Sequence, residues 1–109
     1  RAGLERMRQA VDRVHISDEV LSYIVALVGA TRKHPHLLQG ASPRAALAVA
    51  AASRAAAFLR GRDYVVPEDV QAMWRDVAAH RLLPAPGAEW SGRTIAAEVL
   101  RTVEPPRIK

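Results

Sequence analysis

The residues of this chain best suited to chemistry lie in the run Gly40-Ala41-Ser42-Pro43-Arg44. A serine followed by proline reads as a helix start: the Ser42 hydroxyl accepts a hydrogen bond from one of the first free backbone N–H groups, and Pro43 sits at the first helical position, where a missing N–H costs nothing. Gly40 supplies the loose turn before it. Arg44 then falls in the first helical turn, at the positive end of the helix dipole, where a cation is disfavoured by roughly 0.3–1 kcal/mol. An anion in front of the same helix end would compensate. The ordinary alternative is a surface arginine reaching a nearby carboxylate. Arg54, on an otherwise apolar row of the same helix, is the further candidate for the edge of such a site.

Other chemistry is thin. His34 and His36 flank Pro35 in a polar turn, but no third ligand stands at a suggestive spacing, so no metal site is expected. The chain has no cysteine, which excludes disulfides and thiolate sites. It has no Gly-x-x-x-x-Gly-Lys-Ser/Thr loop to cradle a triphosphate, no nucleophile elbow and no paired-carboxylate constellation. The net charge of +5 allows phosphate contact without demanding it.

The elements that must position Arg44 follow from apolar spacing and caps. At 109 residues the chain is one domain with a modest core, and alanine supplies much of its apolar half, which favours close-packed helices. Helices are predicted over 2–13, 18–32, 43–60, 67–80 and 92–103. The first has a thin stripe of Leu4, Met7 and Val11. The second is capped by Ser17 and carries Val20, Leu21, Ile24, Leu27, Val28 and Thr31 on one face. The third is apolar nearly all round, which predicts enclosure by neighbours, and Leu47, Ala51, Arg54 and Phe58 share one of its rows. Gly61 ends it at C′. Pro67, Glu68 and Asp69 start the fourth, striped by Val70, Met73, Trp74 and Val77. Ser91 or Thr94 caps the fifth, lined by Ile95, Ala96, Val99, Leu100 and Val103. Residues 14–16 and 64–66 are β-prone and expected to pair as a two-stranded clip. Leu83 to Trp90, rich in proline, reads as a loop. The fold class is therefore all-α: a connecting helix over 1–13, a four- to five-helix bundle over 14–103 and a fraying tail over 104–109. The chain opens on Arg1 rather than methionine, so a piece of a longer polypeptide is expected. With no apolar run near 20 residues and no signal pattern, that protein is expected to be soluble and cytoplasmic.

Four motifs occur in register: Thr31-Arg32-Lys33-His34-Pro35, Gly40-Ala41-Ser42-Pro43-Arg44-Ala45, Leu59-Arg60-Gly61-Arg62-Asp63-Tyr64-Val65 with Pro67-Glu68-Asp69-Val70, and His80-Arg81-Leu82. Together, over about residues 14–103, they resemble the C-terminal helical lid of the MoxR family of AAA+ ATPases. The resemblance implies that Arg44 is the sensor 2 arginine, touching the phosphates of ATP bound between the lid and a larger α/β domain. Ser42 and Pro43 would line the same edge. It further implies ATP and Mg2+ as cofactors of the intact protein, an N-terminal α/β ATPase domain, a homo-hexameric ring, remodelling of other proteins and a partner with a von Willebrand factor A domain. It implies no ATPase activity for this chain alone. Val66 departs from the family pattern, which usually has a threonine or serine cap there. Two other classes fit parts of the sequence. A small basic DNA-binding domain would use Arg1, Arg6, Arg8, Arg13, Arg32, Lys33 and Arg62. A plain helical protein-interaction module would leave Arg44 unexplained.

Overall fold

Ser17 does what its position predicts: its side chain accepts the Val20 N–H at 3.3 Å and starts α2, Asp18–Arg32, with Asp18 and Glu19 in the first turn and Arg32 in the last. The same logic sets the other helices of this computed structural model, which describes residues 2–33, 37–39, 43–79, 83–84 and 91–106. They are α1, Ala2–Asp12; α3, Pro43–Leu59; α4, Pro67–Ala79; and α5, Gly92–Thr102. Each bound lies within one residue of the sequence expectation. Ser91, not Thr94, caps α5, accepting the Thr94 N–H at 3.2 Å.

At the end of α3, Gly61 adopts φ +78°. The Arg62 N–H reaches back to the Ala57 carbonyl and the Gly61 N–H to that of Phe58, both at 3.0 Å. This is the pair of bonds that closes a helix through a left-handed residue. A Cβ on Gly61 would meet no atom within 4 Å, so only the backbone resists substitution. Gly61→Ala should cost about 1 kcal/mol and Gly61→Asn less, as read from urea unfolding midpoints.

The core is built from Val20, Tyr23, Ile24, Leu27 and Val28 of α2, the small face Ala45, Val49, Ala50 and Ala57 of α3, Val70, Trp74 and Ala78 of α4, and Ile95, Ala96 and Val99 of α5. Small residues let α3 lie close to α4, its most extensive neighbour. The Trp74 indole N–H donates to the Ala96 carbonyl at 2.7 Å, pinning α4 to α5. The buried hydroxyls of Thr31 and Ser53 donate to carbonyls of their own helices, those of Val28 and Val49, at 2.6 and 2.7 Å.

Several packing expectations are corrected. Leu21 is exposed and Tyr23 takes the core position, because Tyr23 lies three residues after Val20 and four before Leu27. The row Leu47, Ala51, Arg54 and Phe58 of α3 is enclosed only in part: Leu47 and Ala51 are exposed, while Arg54 and Phe58 are half-buried and Phe58 packs against the core. Leu47 is 73 % and Leu59 79 % exposed. Leu4 and Met7 are likewise exposed on α1. The clip between 14–16 and 64–66 reduces to one parallel bridge, His15 to Tyr64, since Asp18 and Pro67 begin helices too soon for longer strands. The two-stranded pair forms elsewhere. Strand β1, Leu37–Gln39, runs antiparallel to β2, Leu83–Pro84, with Leu37 opposite Pro84 and Gln39 opposite Leu83, so the start of the expected loop 83–90 is extended and paired.

Among the described residues no helix is long and apolar enough to cross a membrane, and no cluster of His, Cys, Asp or Glu could hold a metal ion. Ser42, His34, His36, Arg1 and the His80-Arg81 motif lie outside those residues. The tail is described as far as Pro106, and beside it Glu104 and Pro106 face Glu19 and Tyr23 across a shallow groove.

Candidate functional site

Pro43 opens α3 at its first position and Arg44 takes the second, both exposed, while Ala45 behind them is fully buried and fixes the rotation of the helix. No acidic residue occupies this first turn, and among the described residues no ion pair holds Arg44. Arg44 is thus an exposed cation at the positive end of α3. Beside it, Val25, Val28, Gly29, Arg32, Pro43 and Ala46 line an apolar groove of about 330 Å³ between α2 and α3. Val25, 61 % exposed, and Leu47 extend the apolar surface around it. A cation at a helix N-terminus next to an apolar groove suits a ligand or surface with an anionic part and a flat or apolar part.

The structure does not bring Arg54 to this end. Ten residues separate it from Arg44, about 15 Å of helix axis. Its Nε donates to the Val14 carbonyl at 3.2 Å, where the chain passes from α1 to α2.

A second constellation went unread in the sequence. Asp69, fully buried, accepts four hydrogen bonds. Arg62 grips it with a two-pronged fork, Nη1 to Oδ2 at 2.8 Å and Nη2 to Oδ1 at 2.7 Å. Arg60 Nη1 donates to Oδ1 at 2.9 Å, and the Val66 N–H donates to Oδ2 at 2.9 Å. Every lone-pair direction of the carboxylate is used. Burial would push the Asp69 pKa up, but the hydrogen bonds from Arg62 and Val66 and the charges of Arg62 and Arg60 hold it below the ordinary value. The same fork raises Arg62, whose guanidinium also lies 5.8 Å from the Tyr64 ring centre. Asp69 thus performs half of a capping box: it serves the N-cap backbone of Val66, whose own side chain cannot accept. The unusual valine is tolerated because the carboxylate three residues on still closes the helix start. An acidic residue at the third helical position with two arginines seven and nine residues earlier was the available signal. The cluster joins the end of α3 to the start of α4, far from Arg44, and is structural.

The fold has counterparts. Residues 29–102 match the family model of the AAA lid domain. The chain is 37 % identical over 117 residues to the chaperone MoxR1 of Mycobacterium tuberculosis, covering 96 % of this chain and 31 % of that protein. To the uncharacterized protein YeaC of Bacillus subtilis it is 35 % identical over 103 residues, covering 92 % of this chain and 32 % of YeaC. A crystal structure of a protein from Cytophaga hutchinsonii, assigned as an ATPase, superposes with a TM-score of 0.85 at 33 % identity, over 91 % of this chain and 34 % of that one. The chain spans about a third of the length of these relatives. It belongs to the AAA lid domain family, and the relatives it matches include the MoxR proteins.

Proposed function

We propose that this chain is the lid of a MoxR-like AAA+ ATPase, closing over ATP and Mg2+ bound in a separate N-terminal α/β domain, with Arg44 as the sensor 2 arginine. One observation carries the reading: an exposed arginine at the N-terminus of α3, with no carboxylate partner among the described residues, beside an apolar groove. Pro43 opens the same helix, and the resemblance assigns Ser42 and Pro43 to the same edge of the nucleotide site. Arg44 offers a planar fork to the β- or γ-phosphate oxygens. Loss of the γ-phosphate on hydrolysis removes part of its partner and lets the lid rotate. That rotation drives chaperone-like remodelling of other proteins by a cytoplasmic homo-hexameric ring, working with a partner that carries a von Willebrand factor A domain. The chaperone name of the mycobacterial relative supports the remodelling role.

The lid provides one wall of the nucleotide site. A single charge-assisted contact contributes about 1.5–3 kcal/mol, less than the roughly 4 kcal/mol that even a millimolar affinity requires. Calorimetric titration of ATP into the 109-residue chain should therefore show binding weaker than millimolar, and no hydrolysis. The polypeptide that includes the α/β domain should bind ATP tightly. Micromolar affinity in the 109-residue chain alone would overturn the lid reading.

A further inference from the structure

The passage from α1 to α2 is tied down at Val14 and His15. The Val14 N–H closes the last turn of α1 on the Val11 carbonyl at 3.0 Å, and the Val14 carbonyl accepts from Arg54 Nε at 3.2 Å. The His15 N–H donates to the Asp63 carbonyl at 2.9 Å, and the His15 carbonyl accepts the Val65 N–H at 2.8 Å. Val14, Ile16 and Val65 bury their side chains in the core. By contrast, α1 itself is loosely seated. A groove of about 570 Å³, lined by Ala10, Arg13, Phe58 and Arg62 among others, opens between its C-terminal turn and the end of α3, and Leu4 and Met7 are exposed. The helix is held at its C-terminal end rather than along its length.

We propose that Arg54 is the tether that turns residues 13–16 into a stiff joint, so that α1 moves with α3 as a lever and does not swing about the loop that follows it. Arg54 is suited to this as the one side chain of α3 seen to bond the linker backbone among the described residues. The bonds of His15 go to Asp63 and Val65, beyond the Gly61 turn, which the Asp69 cluster fixes to α4. The linker is thereby clamped to the same helix that carries Arg44 at its other end. If the proposed function holds, lid rotation at the nucleotide reaches α1 undiminished through this joint. The tether itself stands on hydrogen bonds alone, so its failure is distinguishable from failure of the nucleotide reading.

Amide hydrogen exchange on the 109-residue chain tests it. In the native chain the His15 and Val65 amides should exchange more slowly than those of α1; equal rates would overturn the proposal without any variant. In Arg54→Ala the same two amides should exchange about tenfold faster, the loss expected for one bond from a charged donor. The amides of Ala78 and Val99 should be unchanged. Arg54→Lys, which keeps a donor on a long stem, should show a smaller acceleration confined to the same two sites, and it serves if the alanine variant fails to fold. Acceleration of all amides alike, or of none, would show that Arg54 is not the tether.

Discussion

Replacing Asp69 by asparagine should destabilise the chain by about 3 kcal/mol, a fall in melting temperature of roughly 10–20 °C. The carboxylate is fully buried and accepts from Arg60, Arg62 and the Val66 backbone. An asparagine of the same shape turns a donor toward one of those donors and leaves the forked guanidinium half-satisfied. Removing one member of a buried pair leaves the others uncompensated, the costly direction of such a change. Arg60 is half exposed and can return to water, which keeps the loss near the lower end of the known range. The effect should depend on pH. Because the folded carboxyl titrates below its ordinary value of 3.8, the stability it contributes is complete above that value. It drains away as the pH falls through the lower folded value. The gap between native chain and Asp69→Asn should therefore be full at neutral pH and narrow in acid, as read from urea unfolding at each pH. A gap independent of pH would show that the carboxylate's charge is not what holds the cluster.

The helices were legible because their signals are local. Ser17, Ser91, Pro43, Pro67 and Gly61 each act within a turn of themselves, and the structure uses each of the described ones as its type predicts. What escaped depends on distant partners. The β1–β2 pair joins residues some 45 positions apart through two or three residues a side, too short for any pattern to register. The exposed side of α3 at Leu47 and Ala51 was misread because alanine covers nearly the whole helix, so spacing alone does not say which side the bundle takes. The exposure of Leu47 settles it. Asp69 was read as part of the start of α4, which it is, but its grip on Arg60 and Arg62 needed the Gly61 turn to fold the chain back. At the candidate site, the position and exposure of Arg44 were legible from Pro43, whereas the groove lined by Val28 and Ala46 required the α2–α3 packing.

On the proposed function, Arg44→Ala in the polypeptide that includes the α/β domain should lower ATP turnover by about tenfold to a thousandfold, the range seen when one preorganised donor is removed. The lid should keep its stability or gain slightly, because a cation leaves the positive end of α3 while Pro43 and the buried Ala45 stay in place. Arg44→Lys should restore only part of the activity, since lysine keeps the charge and loses the fork. A surface or packing role predicts the reverse, a lower melting temperature with turnover per folded molecule intact. The decisive measurement is ATP turnover and melting temperature on the same purified Arg44→Ala protein. The account predicts slow hydrolysis in a molecule that melts like the native one. Native turnover in a folded Arg44→Ala protein would contradict it.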